Sequence, residues 1–126
     1  CKQELELIET DERINSTFAK DILDPVNGTK NWLDWLRAIE GIDGPVHLTI
    51  DIDGLDAALV PATGTPVPGG LTFWHVIQTI ESVFASCDVI SADVNEIVPQ
   101  EGSPLTQFTA AMIATKIVAA HIANMR

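Results

Sequence analysis

The run Val46-His47-Leu48-Thr49-Ile50 leads directly into Asp51-Ile52-Asp53-Gly54-Leu55-Asp56, and a loop rich in Gly, Pro and Thr follows from Thr63 to Gly70. A short hydrophobic run that ends in two carboxylates and then breaks into such a loop has few ways to fold. It reads as a β-strand whose carboxyl end opens into a site. Residues i and i+2 of an extended chain project to the same side, so Asp51 and Asp53 can reach one cation or a close pair of cations. Hard oxygen ligands suit Mg, Mn or Ca, and Mn also accepts imidazole. Taken alone, an Asp-x-Asp is more often a pair of solvated loop carboxylates; the loop after it changes the balance.

The rest of the chain supplies alternating elements. Residues 2–10 carry Leu5 and Ile8 at helical spacing, which predicts a short surface helix, and Ile14 to Ile22 reads as a short strand. Asp24-Pro25-Val26-Asn27-Gly28 is a turn. Trp32, Trp35, Leu36 and Ile39 fall at i, i+3, i+4 and i+7 with Gly41 to close the helix, a spacing more typical of core packing than of an aromatic ligand box. Val46–Ile50 has only mildly polar residues on its off-face, so it reads as a strand covered on both sides. Thr72 is placed to cap a helix with Phe73, Val76, Ile77, Ile80, Val83 and Phe84 on its apolar face. Val89 to Val94 is the next strand. Ser103-Pro104 opens a final helix whose buried stripe is expected to be Phe108, Ala111, Met112, Thr115, Val118, Ala119 and Ile122. Strand, helix, strand, helix without hairpin signals gives an α/β domain, 1–126, with a parallel sheet and flanking helices. Two or three strands are few for such a sheet, and this points to completion by further chain or by a partner.

Parallel α/β sheets hold ligands outside the carboxyl ends of their strands. Asp51 and Asp53 stand at one such end, and Glu96 stands just past the next. If the strands are neighbours, three carboxylates converge, and converging anions call for a cation.

The segment from Val46 to Thr72 resembles the ureohydrolase family of arginases, agmatinases and guanidino-acid hydrolases. Their shared pattern is a hydrophobic strand ending in Asp-x-Asp-x-x-Asp-Pro, then a Gly-Thr-Pro-x-x-Gly-Gly-Leu-Thr/Ser loop. Ser91-Ala92-Asp93-Val94-Asn95-Glu96 resembles the Asp-x-x-Glu segment of the same family. The match covers roughly residues 46 to 122, more loosely upstream. It implies the C-terminal part of an arginase-like three-layer α/β/α fold and metal-dependent hydrolysis of a guanidino compound to urea and an amine. The resemblance assigns Asp51 as the carboxylate bridging two Mn ions and Asp53 as a ligand to one of them. It also assigns Glu96 as the acid that pairs with the substrate guanidinium, and Thr65 as a neighbour of the reacting end. The metal pair would activate water for attack on the guanidinium carbon.

Three departures bear on this reading. Ala57 stands where the family usually has Pro, and His75 where many members have the acid of a capping box, so His75 is expected to be an exposed first-turn residue. His47 reads as a satisfied structural histidine, His121 as structural or exposed, and Asp93 as hydrogen-bonded support for the cleft. The family takes its other metal ligands from a Gly-Gly-Asp-His and an Asp-Ala-His-x-Asp motif, and neither occurs here. The chain alone is thus expected to be inactive. The Val67-Pro68-Gly69-Gly70 loop, with the sequence ending at Arg126 soon after the last helix, resembles agmatinases more than arginases. The alternative is a non-catalytic truncated relative that serves assembly or regulation; a deacetylase on the related fold is disfavoured by Gly69-Gly70-Leu71-Thr72 and Glu96.

With 18 Asp+Glu against 7 Lys+Arg, a formal charge of −11, nucleic acid and anionic membrane are not expected partners. A small cationic guanidino substrate is, since an acidic protein draws cations. No apolar run is expected to reach a membrane span of about 20 residues. Cys1 and Cys87 form no metal or redox spacing, and Cys87 reads as a small buried hydrophobe in a reducing, cytoplasmic setting. A homo-oligomer, or association with a separate N-terminal portion, is the expected assembly.

Overall fold

The computed structural model describes residues 2–125, leaving Cys1 and Arg126 outside the described residues. Helix α1 spans Lys2–Thr10, α2 Ala19–Leu23 and α3 Trp32–Ile39. Strand β1 (Pro45–Asp51) is followed by a single 3-10 turn (Ile52–Gly54), the long loop, and α4 (Phe73–Ser86). Strand β2 (Asp88–Asn95) and α5 (Leu105–Asn124) complete the order. The two strands pair in parallel, with His47 opposite Ser91, Thr49 opposite Asp93 and Asp51 opposite Asn95, after an irregularity between Val46 and His47. Because they are adjacent and parallel, their carboxyl ends lie side by side.

The core gathers Ile50 and Ile52 from the strand end, Leu55 and Val60 from the loop, Val76, Ile77, Ile80 and Phe84 from α4, and Ala110, Ile113 and Ala120 from α5. Ile52, Val60, Ile80 and Ile113 are fully buried. The α4 face is the one that its periodicity predicts, apart from Phe73, which is partly buried.

Several expectations change. Residues 14–22 form no strand: 14–18 run irregularly into α2, and Ile14 and Phe18 are exposed. β-branched residues favour a strand only where a neighbouring strand or a packed face receives them, and among the described residues none does here. Strand β1 is covered on one face, not both. Its inner residues are at least half-buried and culminate in buried Ile50, while His47, Thr49 and Asp51 stand exposed on the other face. Cys87 is half-buried at the end of α4, its thiol 3.5 Å from the Ile39 carbonyl oxygen. Pro104, not Ser103, occupies the cap position of α5, with no side-chain cap bond.

The largest revision concerns the rotation of α5. Its buried residues are Thr106, Thr109, Ala110, Ile113 and Ala120, whereas Phe108 is 64% and Ile122 63% exposed. The helix is apolar nearly all round, so spacing alone does not choose a face. Two threonines choose it: Thr106 Oγ1 accepts from Ala62 N at 2.9 Å, and Thr109 Oγ1 donates to Leu59 O at 3.5 Å. By length and composition α5 is also long and apolar enough to cross a membrane, contrary to the expectation above. Its Ala110, Ile113 and Ala120 pack into the core with α4, while Phe108, Met112, Val118 and Ile122 stand exposed.

Both sheet edges are open among the described residues. An apolar groove of about 480 Å³, lined among others by Ala92, Val94, Ile97, Ala111 and Val118, lies between β2 and α5. Another of about 410 Å³, lined among others by Trp35, Ile39, Val46, Leu48 and Val83, lies along β1. These grooves are where further layers of a larger α/β/α sheet would bury apolar surface.

The capping of α4 carries a prediction. His75 is not an exposed bystander. Its backbone N–H donates to Thr72 Oγ1 at 3.2 Å and its ring Nδ1 accepts from Thr72 N at 3.1 Å, so a histidine completes the capping box. The ring also lies 4.4 Å from Trp32, which stacks on Trp35. Nδ1 accepts only while unprotonated, and burial lowers the His75 pKa. A folded-state value below the unfolded one means that the unfolded chain takes the proton first. The stabilisation is therefore complete above the unfolded value and is lost as pH falls through the folded one. Thermal melts from pH 8 down to pH 5 should show a loss of stability that His75→Gln, which keeps an acceptor without titrating, removes.

Candidate metal and guanidinium site

Strand β1 ends at Asp51, and the chain turns at once into the 3-10 turn that carries Asp53. The two carboxylates therefore meet through a turn rather than through strand alternation: Asp51 Oδ1 accepts from Asp53 N at 3.4 Å. Thr65, on the loop, donates its hydroxyl to Asp53 Oδ2. Glu96 follows the last residue of β2 and has φ 63, a left-handed conformation uncommon outside Gly, Asn and Asp and concentrated at functional positions. Gly64 faces it, since a methyl group on Gly64 would come 3.7 Å from Glu96 Oε2.

The electrostatics register the convergence. Partial desolvation, a side-chain hydrogen bond with Asp53, and the charges of Asp53 and Glu96 push the Asp51 carboxyl above its ordinary range, opposed only by the Asp53 N–H. Asp51 and Asp53 adjoin at the end of β1, Thr65 bonds to Asp53, and Glu96 stands just past the end of the neighbouring β2, near enough for its charge to act on Asp51. Among the described residues no three or more His, Cys, Asp or Glu gather so as to hold a metal ion by themselves. The donor set still fits part of a cation site. Two acidic oxygen donors lie side by side, and one of them is disfavoured as an anion until positive charge arrives.

Sequence spacing did not disclose a polar ladder that supports this cleft from the open face of the sheet. Thr49 Oγ1 donates to Asp93 Oδ1 at 2.7 Å, and Asn95 Nδ2 donates to Asp93 Oδ1 at 2.6 Å and to Thr49 Oγ1 at 3.1 Å. His47 Nε2 lies 3.0 Å from Asp93 Oδ2, and its Nδ1 lies 2.6 Å from Ser91 Oγ. The Thr49 hydroxyl, then the charge and hydrogen bonds of His47 and Asn95, hold the Asp93 carboxyl below its ordinary range against slight burial. The ladder pins Asn95, the residue from which Glu96 turns. Only the parallel register reveals it, because the partners alternate on two separate strands. His121 is exposed, edge-on to Phe84 at 6.2 Å.

Asp56, the third acid of the motif, faces away from the others. Its Oδ1 accepts from Ala58 N at 2.8 Å and its Oδ2 from Gly69 N at 2.7 Å, which lowers its pKa. Ala57 donates its N–H to Val67 O at 3.1 Å, a bond that the proline usual at that position could not make.

A parallel sheet with carboxylates at adjacent strand ends and a glycine-rich loop beside them puts acidic groups at the carboxyl edge of an α/β sheet, where such folds hold ligands. The chain matches the arginase family over residues 3–120 and belongs to it. It is 34% identical over 119 residues to the N(1)-aminopropylagmatine ureohydrolase of Synechocystis, covering 94% of this chain and 37% of that protein. Among solved structures, a hypothetical agmatinase from Burkholderia thailandensis matches at TM-score 0.64 and 35% identity, over 74% of this chain and 30% of its own. A putative agmatinase from Clostridium difficile has the same fold at TM-score 0.76 and 19% identity, over all of this chain and 43% of its own. The chain therefore spans less than half the length of these relatives.

Proposed function

We propose that this chain is the carboxylate-bearing C-terminal portion of a Mn-dependent ureohydrolase that hydrolyses an agmatine-like guanidino compound to urea and an amine. The observation that supports the proposal is the placement of Asp51 and Asp53 at the end of β1 and of Glu96 just past the end of the adjacent parallel β2, with the Asp51 carboxyl raised by desolvation, by its hydrogen bond with Asp53 and by the charges of Asp53 and Glu96. Asp51 and Asp53 would hold the metal. When bound, the metal supplies Lewis acidity and makes water a nucleophile at neutral pH.

The chain's own residues do the rest. Glu96 offers a carboxylate to a planar guanidinium, which it can grip through paired charge-assisted hydrogen bonds. Its left-handed backbone, fixed through Asn95, aims that carboxylate towards Gly64. Thr65 orients Asp53, and the absence of a side chain at Gly64 leaves room beside Glu96. The acidic balance of the chain favours approach of a cationic substrate. The agmatine-like preference rests on the names of the relatives above and on the Val67-Pro68-Gly69-Gly70 loop. The remaining metal ligands would come from further chain, in the same polypeptide or a partner, seated on the open sheet edges.

Residues 1–126 alone should release no urea from agmatine, aminopropylagmatine or arginine in the presence of Mn. The complete protein should release it from one of the first two. A colorimetric urea assay on both preparations checks this. Turnover by the isolated chain at the rate of the complete protein would overturn the half-site reading.

A further inference from the structure

We infer that Asp56 is a positioning residue of this site, a clasp that holds the loop from Pro61 to Thr72 so that Thr65 stands on Asp53 and Gly64 beside Glu96. The inference rests on the reading of Asp51, Asp53 and Glu96 given above, and assigns a task to the one acid of the motif that faces none of them.

The loop leaves the 3-10 turn, runs out past the cleft and returns against the segment 54–57. Its return is tied by backbone bonds from Leu71 N to Gly54 O at 2.9 Å and from Asp56 N to Leu71 O at 2.9 Å. Gly70 is pressed so close that a Cβ there would lie 2.6 Å from the Leu55 carbonyl carbon, so only glycine fits. Gly69 has φ +78, and its N–H turns inward to the Asp56 carboxylate. Asp56 makes two different bonds. The one to Ala58 N is local and shapes a turn of its own backbone, as Asp commonly does. The one to Gly69 N spans the loop and ties it by a side chain to that segment, and the neighbouring Gly70 N–H also favours the Asp56 carboxylate. A carboxylate accepting backbone N–H groups makes bonds about twice as strong as neutral ones, which suits a tie that must survive on a surface. Thr65 and Gly64 lie between this tie and the loop's outward arm. Their positions over Asp53 and Glu96 depend on both ends being held, and a displacement of about 1 Å at such groups is costly to a reaction.

The test uses the complete, Mn-saturated enzyme with three variants: Asp56→Ser, Thr65→Ala and the double variant. Serine retains the local turn onto Ala58 but is too short to reach Gly69. Amide hydrogen exchange in Asp56→Ser should accelerate at Gly69 and across residues 63–67, with β1, β2 and α4 unchanged. Asp56→Ser should lower kcat/KM by about tenfold or more in the parent, yet by less than about threefold when Thr65 is already Ala, because the clasp acts through Thr65. A merely structural role gives costs that multiply, independent sites being additive to within about twofold. Multiplying costs, or unchanged exchange across 63–67, would overturn the inference. If the parent enzyme releases no urea from any guanidino compound, the proposed function fails, and the exchange experiment then decides the clasp alone.

Discussion

Glu96→Gln in the complete enzyme should leave the metal content at its parental level while kcat/KM falls by about 2–4 kcal/mol of transition-state stabilisation. Glutamine keeps the length of the side chain and its place in the left-handed turn after Asn95. It loses the charge and one acceptor oxygen, and a guanidinium facing an amide N–H is left partly unpaired where the complete site closes over the exposed Glu96. Metal analysis together with steady-state kinetics separates the two possible duties of this acid. Loss of metal with turnover per bound metal intact would make Glu96 a ligand, and the division of labour among the three acids would be wrong.

Asp51→Ala should have the larger effect: loss of at least one Mn per site and of nearly all activity. Asp51 is the acid whose carboxyl is raised by desolvation, by its hydrogen bond with Asp53 and by the charges of Asp53 and Glu96. A ligand shared by two ions is lost from both at once. The corresponding change at Asp53 should weaken metal binding less, because Asp53 would hold one ion only and Asp51 would remain. Metal content measured by mass spectrometry in the two variants, beside urea release, checks the order. Full occupancy in Asp51→Ala would remove the assignment.

The strand ends that carry the candidate acids were more legible than the packing around them. The position of Asp51, Asp53 and Glu96 at adjacent strand ends could be read from the sequence because acids that follow hydrophobic runs have few other places in a parallel sheet. Even so, Asp51 and Asp53 meet through a 3-10 turn and not through strand alternation. The rotation of α5 was misread because Phe108, Met112 and Ile122 are as apolar as Ile113 and Ile117, and the decision lay with Thr106 and Thr109 bonding to the loop. Ile14 to Ile22 has strand composition but no partner strand among the described residues, and propensity without a partner does not make a strand. The second face of β1 was read as covered because His47 and Thr49 are only mildly polar. In the structure they form a hydrogen-bonded ladder with Ser91, Asp93 and Asn95, which only the inter-strand register could disclose. His75 looked like a departure from the capping pattern, yet an unprotonated imidazole accepts the same N–H that an acid would.

Where manganese binds decides most directly between these outcomes. An anomalous-difference map at the manganese edge, from crystals of the complete protein grown with Mn, should place two peaks at the carboxyl ends of β1 and β2. Asp51 should bond to both and Asp53 to one, with Glu96 bonded to neither. Peaks held by Glu96, or manganese bound without Asp51, would contradict it.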